Sequence, residues 1–478
     1  MTIWGILTLI SFALSTVGGD AQTPTGDAPK PAPAPTDTLV HLRADWPAVP
    51  PPNDPDAAGR GIQRTMRLLA TSTPQHRNSV RILFYGQSIT EQKWWEQVAD
   101  DLRRRFPHAD LDIRNRAIGG FASQRLIRPA QHDIFPWYPD LVIFHVYGAD
   151  QEYEEIIRNI RTRTTAEILM QKDHVTRWPL PVHDPSADKS DWWDDRMNHQ
   201  RLPEIAAKYD CGLVDVRGEW LRYLKANALE PKDLLTDGVH LNEHGCFVLA
   251  EIVKQYLVYR PERKADDPRV RDVVVGQDVR WKEGRLTLDF VGNRVDLLPG
   301  ARGGGGSVRI LIDGKAPSAH PECYTFSRPA PNPWASPLAL VRVDSVRPLL
   351  SEDWTLTVTE VTGEKDDVVW SYRVVGSLTG EDGTGKSDAV FVSASGRVRI
   401  EPASFFRGFN PPLPKNHRIT WQSYLMGTDH YRFERVADPG RENAVLLAQG
   451  LENGPHRLEL IVEGKTPAPI RALRVYRP

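Results

Sequence analysis

Three side chains with the chemistry of nucleophilic catalysis occur at the ends of predicted strands, beginning with Ser88. This serine lies just beyond the short apolar run 80–85, and a helical pattern follows soon after it. A serine at such a strand-to-helix turn lies at the carboxyl end of a parallel sheet, where active sites gather. Its backbone N–H, free at the start of the helix, can face a developing oxyanion. The alternative interpretation is an ordinary N-cap serine.

The second group is the Asp-x-x-His turn formed by residues 237–240, about 150 residues after Ser88. A nucleophilic serine needs a base within hydrogen-bond reach, and the base needs a partner that orients it. Asp237 and His240 can present both side chains from one loop. This spacing alone occurs about once by chance in a chain of this length, and a capping Asp beside a surface His is the alternative. The position of both groups at strand ends favours a joint role.

The elements that would position these side chains alternate between strand and helix. Short apolar runs predict buried strands, and apolar residues three or four positions apart predict helices. The predicted strands are 80–85, 111–115, 140–146, 166–171 and 212–216, and the predicted helices are 56–72, 91–106, 153–164, 197–209 and 242–256. This alternation is typical of a parallel sheet covered by helices.

After residue 260 the pattern changes to alternating apolar and polar residues. The runs are 285–290, 308–312, 354–361, 368–375 and 457–462, separated by clusters of Gly, Asp, Asn and Pro. They predict an all-β sandwich. We therefore divide the chain into a signal peptide (1–21), a Pro-rich linker (22–55), an α/β domain (56–260) and a β-sandwich (269–478).

The N-terminus indicates the compartment. The apolar run 3–17 is too short to span a bilayer comfortably, and Gly19–Ala21 fits a small-x-small cleavage signal. A buried first strand or helix is the alternative. Since no later segment is a candidate membrane span, we predict a secreted or periplasmic protein.

Composition excludes several classes of function. The 478 residues contain 60 Lys and Arg against 62 Asp and Glu, so no basic field favours nucleic-acid binding. Three cysteines exclude a disulfide scaffold and a Cys-rich zinc module. Because secretion permits disulfides, a Cys211–Cys246 bridge and three free thiols are both open alternatives. The sequence does not define an oligomeric state.

Four sequence blocks resemble those of the SGNH/GDSL hydrolase family and occur in the same order. They are residues 86–88, 115–120, 147–150 and 237–240. The resemblance covers roughly residues 78–258 and implies a flavodoxin-like three-layer α/β/α domain that hydrolyses esters without a metal or other cofactor. It implies that Ser88 is the nucleophile, His240 the general base and Asp237 the residue that orients the base. It also implies that the N–H groups of Ser88 and Gly120 form the oxyanion hole.

Two positions depart from the usual pattern of that family. Gln87 replaces the Asp of the first block, as in several similar carbohydrate esterases. The third block usually supplies an Asn side-chain donor, and the matching residue here is Asp150. An ionised carboxylate accepts hydrogen bonds and cannot stabilise an oxyanion. Either Asp150 carries a proton, or Gln151 donates instead, or the site is weakened.

Side chains near the loop 177–193 are candidates for substrate contact. The loop follows the predicted strand that ends at residue 171, so we expect it on the catalytic face. Trp178, Trp192 and Trp193 could stack on sugar rings, with local packing as the alternative. His174 is a further candidate for substrate contact.

A metal site is not expected. His145, Asp173 and His174 fall at or near strand ends, but they lack the tight spacing of metal ligands.

The C-terminal region carries a weaker resemblance. Residues 290–296, 312–315 and 454–460 look like parts of the jelly-roll modules attached to some carbohydrate esterases, which implies a carbohydrate-binding sandwich. A scaffold without sugar affinity is the alternative. Together these observations predict a secreted serine esterase that removes O-acetyl groups from a polysaccharide through a Ser-His-Asp triad. A non-catalytic carbohydrate-binding protein on a degenerate fold, and a lipase or thioesterase, are the alternative functions.

Overall fold

The N-terminal half of the computed structural model is built on a five-stranded parallel sheet. The strands are β1 (Ser79–Gly86), β2 (Asp110–Asn115), β3 (Leu141–His145), β4 (Glu167–Gln171) and β5 (Gly212–Val214). Their order is β2-β1-β3-β4-β5. This is the order of flavodoxin-like folds, in which ligands bind where the strand order reverses, at β1 and β3. Ser88 follows β1 and therefore lies at this switch point.

The structure describes residues 46–478 except for 179, 181–188, 264–266, 301–304, 365–366, 409–411, 435–437, 439 and 465–468, and of residues 189–192 it describes the backbone alone. The predicted signal peptide and most of the predicted linker lie outside the described residues.

Helices cover both faces of the sheet. They are α1 (Gln63–Ala70), α2 (Ser88–Glu91), α3 (Trp94–Arg105), α4 (Ser123–Asp133), α5 (Asp150–Arg163), α6 (Lys189–Arg196), α7 (Leu202–Lys208), α8 (Val216–Ala226) and α9 (Glu243–Tyr256). Successive residues of β1 enter opposite layers, because side chains alternate along a strand. Val80, Ile82 and Phe84 pack with α1, α3, α8 and α9. Leu83 and Tyr85 pack with α4, α5 and α7.

Several helices differ from the sequence-based expectation: α1 is shorter than the predicted helix 56–72, and α4 was not predicted. The predicted helix 197–209 begins earlier, at Lys189, and passes through a π-helical turn at Met197–Arg201 before α7. Helix α8 was not predicted, and it shortens the predicted strand 212–216, because the Asp215 side chain caps α8 by accepting the Gly218 N–H at 3.2 Å.

The C-terminal region is made of antiparallel sheets. A six-stranded sheet has the order β18-β8-β19-β7-β20-β6, and a five-stranded sheet has the order β13-β12-β11-β17-β9. Strands β10 and β16, and strands β14 and β15, form two short pairs. The bounds are β6 (Val270–Val274), β7 (Arg285–Pro299), β8 (Ser307–Ile312), β9 (Tyr324–Phe326), β10 (Ala339–Leu340), β11 (Glu352–Thr362), β12 (Val369–Gly376), β13 (Gly380–Lys386), β14 (Phe391–Val392), β15 (Arg399–Ile400), β16 (Phe405–Phe406), β17 (Arg418–Leu425), β18 (His430–Arg432), β19 (Val445–Glu463) and β20 (Ile470–Tyr476).

The predicted fold class, an α/β domain followed by an all-β sandwich region, is confirmed.

The α/β and β regions share a hydrophobic core. Ala339, Val341 and Phe406 from the β region belong to the same buried cluster as Ile118 and Phe121 of the α/β region. The centroids of the Phe121 and Phe406 rings lie 4.8 Å apart. The domain boundary at 260–268 stays a prediction, and any separation there would expose this shared apolar surface.

The last residues of the predicted linker lie against the α/β region. The Trp46 ring stacks on His244 with a centroid distance of 4.8 Å, and the Tyr223 hydroxyl donates to the Pro47 carbonyl at 3.1 Å. Residues 46 and 47 are thus part of the packed structure.

All three cysteines are buried and unpaired, so the alternative of a Cys211–Cys246 bridge is not realised. No helix within the described part of the chain is long and apolar enough to cross a membrane.

Candidate active site

Ser88 is the first residue of α2, two positions after β1 ends at Gly86. A Cβ atom on residue 86 would collide with the His145 carbonyl oxygen, so glycine allows β1 and β3 to approach closely at the turn. The Ser88 N–H has no intrahelical partner because it belongs to the first turn of the helix. The strand-to-turn geometry therefore presents both the hydroxyl and the N–H of Ser88 at the carboxyl edge of the sheet.

The structure brings Ser88 together with His240 and Asp237. The His240 Nε2 atom lies 3.0 Å from Ser88 Oγ, and His240 Nδ1 lies 2.8 Å from Asp237 Oδ2. With Nδ1–H donated to the carboxylate, Nε2 is the acceptor that faces the serine hydroxyl. This is the hydrogen-bond series that a serine nucleophile and its base require.

Asp237 remains ionised through local hydrogen bonds. Partial burial acts to raise its pKa, but the backbone and side-chain N–H groups of His240 and the backbone N–H of Val239 lower that pKa to about 2. Both backbone bonds reach Oδ1 at 2.7 Å. The site is open, with 42% of the His240 side chain and 56% of the Asp237 side chain exposed.

Contacts from outside the loop hold the segment 237–241 in place. Gln92, just after α2, donates from Nε2 to the Leu241 carbonyl at 2.7 Å and accepts the Leu241 N–H at Oε1 at 3.0 Å. The His174 Nε2 atom lies 2.9 Å from the Val239 carbonyl oxygen. The turn that carries Ser88 and the loop that carries His240 are therefore tied directly to each other.

The second block forms a loop beside α2. Asn115, at the end of β2, donates to the Thr90 carbonyl at 2.6 Å, and the Ile118 N–H donates to the Gly86 carbonyl at 3.0 Å. Gly120 has a φ of +71°, a left-handed conformation that favours glycine. Within the described residues, the Gly120 N–H has no acceptor in the protein. This N–H is thus free for an external oxygen atom.

Asp150 has partners other than a substrate. Its Oδ2 atom accepts hydrogen bonds from Arg196 Nη2 at 2.5 Å, Arg196 Nη1 at 3.1 Å and Arg201 Nε at 3.2 Å. These contacts are charge-assisted hydrogen bonds from two guanidinium groups, and the role of Asp150 as an oxyanion donor stays a prediction. Gln151 is exposed on the first turn of α5, and its donor role stays a prediction.

The predicted substrate-contact residues have different surroundings. Trp178 is 37% exposed, and its contact with substrate stays a prediction. Trp193 is half-buried and donates from its indole N–H to the Gly148 carbonyl at 3.0 Å. The Trp192 side chain lies outside the described residues. His174 is only 3% exposed and its ring contacts the loop at Val239, so its contact with substrate stays a prediction.

A buried polar network lies next to His174, which contacts the segment 237–241. His145 Nε2 is 2.9 Å from Asp173 Oδ1, and Asn198 Nδ2 donates to Asp173 Oδ2 at 2.9 Å. Burial, followed by repulsion from His145, lowers the pKa of His174 to about 4. No group of three His, Cys, Asp or Glu side chains in the described residues could hold a metal ion.

Two residues at the site were missed in the sequence. Gln92 lies one helical turn after Ser88, and that spacing is a signal that places it on the same side of the turn. Trp334, from the β region, donates its indole N–H to the Gly119 carbonyl at 2.8 Å. It lies 215 positions from Gly119, and no local pattern indicates that contact.

Comparison with known proteins finds one family match and several similar solved structures. Residues 84–246 match the GDSL-like lipase/acylhydrolase family. No curated relative matches the chain. Three solved structures illustrate the range of similar folds. A two-domain esterase active on acetylated mannans, co-crystallised with mannopentaose, is 15% identical over 88% of this chain and 98% of its own, with a TM-score of 0.34.

The other two structures cover the α/β region. An acetylxylan esterase from Geobacillus stearothermophilus is 17% identical over 39% of this chain and 98% of its own, with a TM-score of 0.33. An α/β hydrolase from the metagenome of Lake Arreo, Spain, is 19% identical over 39% of this chain and 100% of its own, with a TM-score of 0.31.

Proposed function

We propose that this chain, whose residues 84–246 match the GDSL-like lipase/acylhydrolase family, is a secreted or periplasmic serine esterase that removes acetyl groups from a polysaccharide. The observation that carries the proposal is the series of hydrogen bonds from Ser88 through His240 to Asp237. Nucleophile, base and orienting carboxylate are already within the distances that proton transfer requires.

The mechanism follows from these contacts. His240 Nε2 removes the Ser88 hydroxyl proton as Oγ forms a bond to the ester carbonyl carbon. The carbonyl oxygen becomes an oxyanion, which the N–H groups of Ser88 and Gly120 stabilise. The bond to the sugar oxygen then breaks, and the imidazolium returns the proton to that oxygen. His240 then deprotonates a water molecule, whose oxygen bonds to the acyl carbon. The bond from that carbon to Ser88 Oγ breaks, the imidazolium returns the proton to Oγ, and acetate is released.

The openness of the site supports a bulky substrate with a small acyl group. His240 and Asp237 are both more than a third exposed, so a polymer can approach the triad from solvent. Trp178 offers an exposed aromatic face in the loop that follows β4, and such faces pack well on sugar rings.

A non-catalytic carbohydrate-binding protein is the second candidate function. The observation that favours it is Asp150, which is held by arginines where the family usually has an Asn donor. The binding candidate and the esterase differ in one measurable property, covalent reactivity at Ser88. A serine-directed phosphonate should add one adduct to Ser88, as read by intact mass and peptide mapping.

The decisive experiment compares acetate release from acetylated polysaccharides and from a small activated acetyl ester. Ser88→Ala should lose several orders of magnitude in turnover, as for other members of such catalytic units. Ser318→Ala, an exposed serine of the β region, is the matched control and should retain full activity. Full activity of Ser88→Ala would overturn the assignment. Preference for long-chain over acetyl esters would favour the lipase alternative.

A further inference from the structure

We propose that Trp334, which belongs to the β region, is a positioning residue of the oxyanion hole and acts through the Gly119–Gly120 peptide. This inference rests on the proposed esterase function. It assigns the β region a direct part in the reaction, in addition to any affinity for sugar.

The argument begins with the peptide unit itself. The Gly119 carbonyl and the Gly120 N–H are the two ends of one planar amide group. The indole N–H of Trp334 donates to that carbonyl at 2.8 Å. Because the amide is rigid, a contact that fixes the direction of its oxygen also fixes the direction of its N–H. The N–H held in this way is the one that the mechanism assigns to the oxyanion.

The hydrogen bond also changes the strength of the donor. An amide whose oxygen accepts a hydrogen bond is polarised, and its N–H becomes a stronger donor, by about 10–30% per bond in condensed-phase estimates. A preorganised donor needs no reorganisation when charge develops on the substrate oxygen. The contact from Trp334 therefore matters most in the transition state, where that oxygen carries its charge.

The indole ring of Trp334 packs closely against the loop at Gly120. A Cβ atom on Gly120 would lie 3.1 Å from Cζ2 of the Trp334 ring, and one on Gly408 would lie 3.0 Å from Cε3 of the same ring. The Phe406 ring meets the indole edge-on at 4.8 Å. The ring is thus held between the β region and the loop, and it touches the loop where the free N–H is presented.

A comparison within the molecule supports the specificity of this role. Trp193 makes the same kind of bond to the Gly148 carbonyl. The N–H of that peptide, on Ala149, already donates to Gln124 Oε1 at 3.2 Å. Of these two indole-bound peptides, the Gly119–Gly120 unit is the one with an N–H left for a ligand.

Trp334→Phe tests the inference because it keeps an aromatic ring and removes the N–H. The matched control is Trp354→Phe, which removes the indole bond to Ser423 Oγ within the five-stranded sheet. The substrate is a small activated acetyl ester that leaves sugar subsites empty. We expect kcat of Trp334→Phe to fall at least about tenfold with KM within twofold, while Trp354→Phe stays within twofold of wild type in both.

A second measurement uses methylboronic acid as the probe. Its boron bonds to Ser88 Oγ, the serine proton passes to His240, and the resulting tetrahedral anion places an oxygen in the oxyanion hole. Binding should weaken in Trp334→Phe by the same factor as kcat/KM. Trp334→His, which offers a ring N–H again, should recover part of both losses. It also serves as the test variant if Trp334→Phe does not fold.

The outcomes separate the two proposals. An inactive wild type that fails to react with the phosphonate would overturn the esterase function and this inference with it. An active wild type with unchanged kcat and boronate affinity in Trp334→Phe would overturn only the inference. A rise in KM without a change in kcat would also overturn only the inference, because that result would assign the indole to substrate binding.

Discussion

The Gln92 side chain binds the backbone of Leu241 with both ends of its amide, at 2.7 and 3.0 Å. Gln92 ends the turn that starts at Ser88, and Leu241 directly follows His240. A side-chain clamp between two segments 149 positions apart in sequence therefore joins the turn of Ser88 to the loop of His240.

Removal of this clamp should lower turnover more than stability. Gln92→Ala leaves the Leu241 groups without the bonds that hold His240 against Ser88, and misplacement of about 1 Å can cost a factor of 10² in rate. We expect kcat to fall about 10- to 100-fold in steady-state assays on a small acetyl ester. Gln255→Ala, which removes a 3.4 Å bond to the Val49 carbonyl, is the control. Equal kcat in both variants would contradict a role for the clamp.

Asp150→Asn should affect the stability of the α6–α7 segment more than catalysis. The change removes the charge that holds Arg196 and Arg201, and hydrogen bonds to charged groups contribute roughly 1.5–3 kcal/mol. Urea denaturation should show a loss of that order. Asp195→Asn, which breaks only the pair with the exposed His199, is the control. A marked rise in kcat of Asp150→Asn would show instead that an amide at this position donates to the oxyanion.

Stability should decrease as the pH falls from about 6.5 to 4. Burial lowers the pKa of both His132 and His174 to about 4, so in this window the unfolded chain binds protons that the folded chain does not. The free energy of unfolding then falls with falling pH, by up to about 3 kcal/mol for each fully buried group. For His174, the facing groups include His145, Asp173 and Arg217.

His174→Gln tests this dependence because an amide can still donate to the Val239 carbonyl but does not titrate. The free energy of unfolding, measured in urea at pH 7, 5.5 and 4.5, should change less with pH in this variant. The exposed His76→Gln should keep the wild-type slope. An unaltered slope in His174→Gln would contradict the buried neutral state of His174.

The three thiols should react only after unfolding. Burial raises the pKa of Cys211, raises that of Cys246 to about 11 and raises that of Cys323 to about 12. Since the thiolate is the reactive form, iodoacetamide at pH 8 should leave the folded chain unlabelled and add three groups in denaturant. Intact mass measures both states, and a folded chain with a single adduct would contradict the burial of that thiol. Reductant should leave the melting temperature unchanged.

The sequence predicted the α/β framework well, because buried strands and amphipathic helices leave a local periodic pattern. The proximity of Ser88 to His240 and Asp237 was predicted because Ser88 lies in a short motif after β1 and the other two lie in a short motif just before α9. The burial of His174 was not predicted, because a position near the catalytic edge does not reveal burial. The contact of Trp334 with Gly119 could not be predicted, since it depends on how two regions far apart in sequence pack together.

The shared cluster of Phe121 and Phe406 has a consequence for the order of synthesis. Phe406 leaves the ribosome about 300 residues after Phe121, a delay of roughly 15–60 s at about 5–20 residues per second. By the end of that interval both Ser88 and His240 have been synthesised. Until Phe406 follows, the loop at Gly120 lacks the β-region residue that packs against it. The side chains of Ser88 and His240 are thus present early, whereas the loop at Gly120 can reach its final packing only near the end of translation. If the chain has the proposed function, we expect it to acquire activity only after its last third has been synthesised.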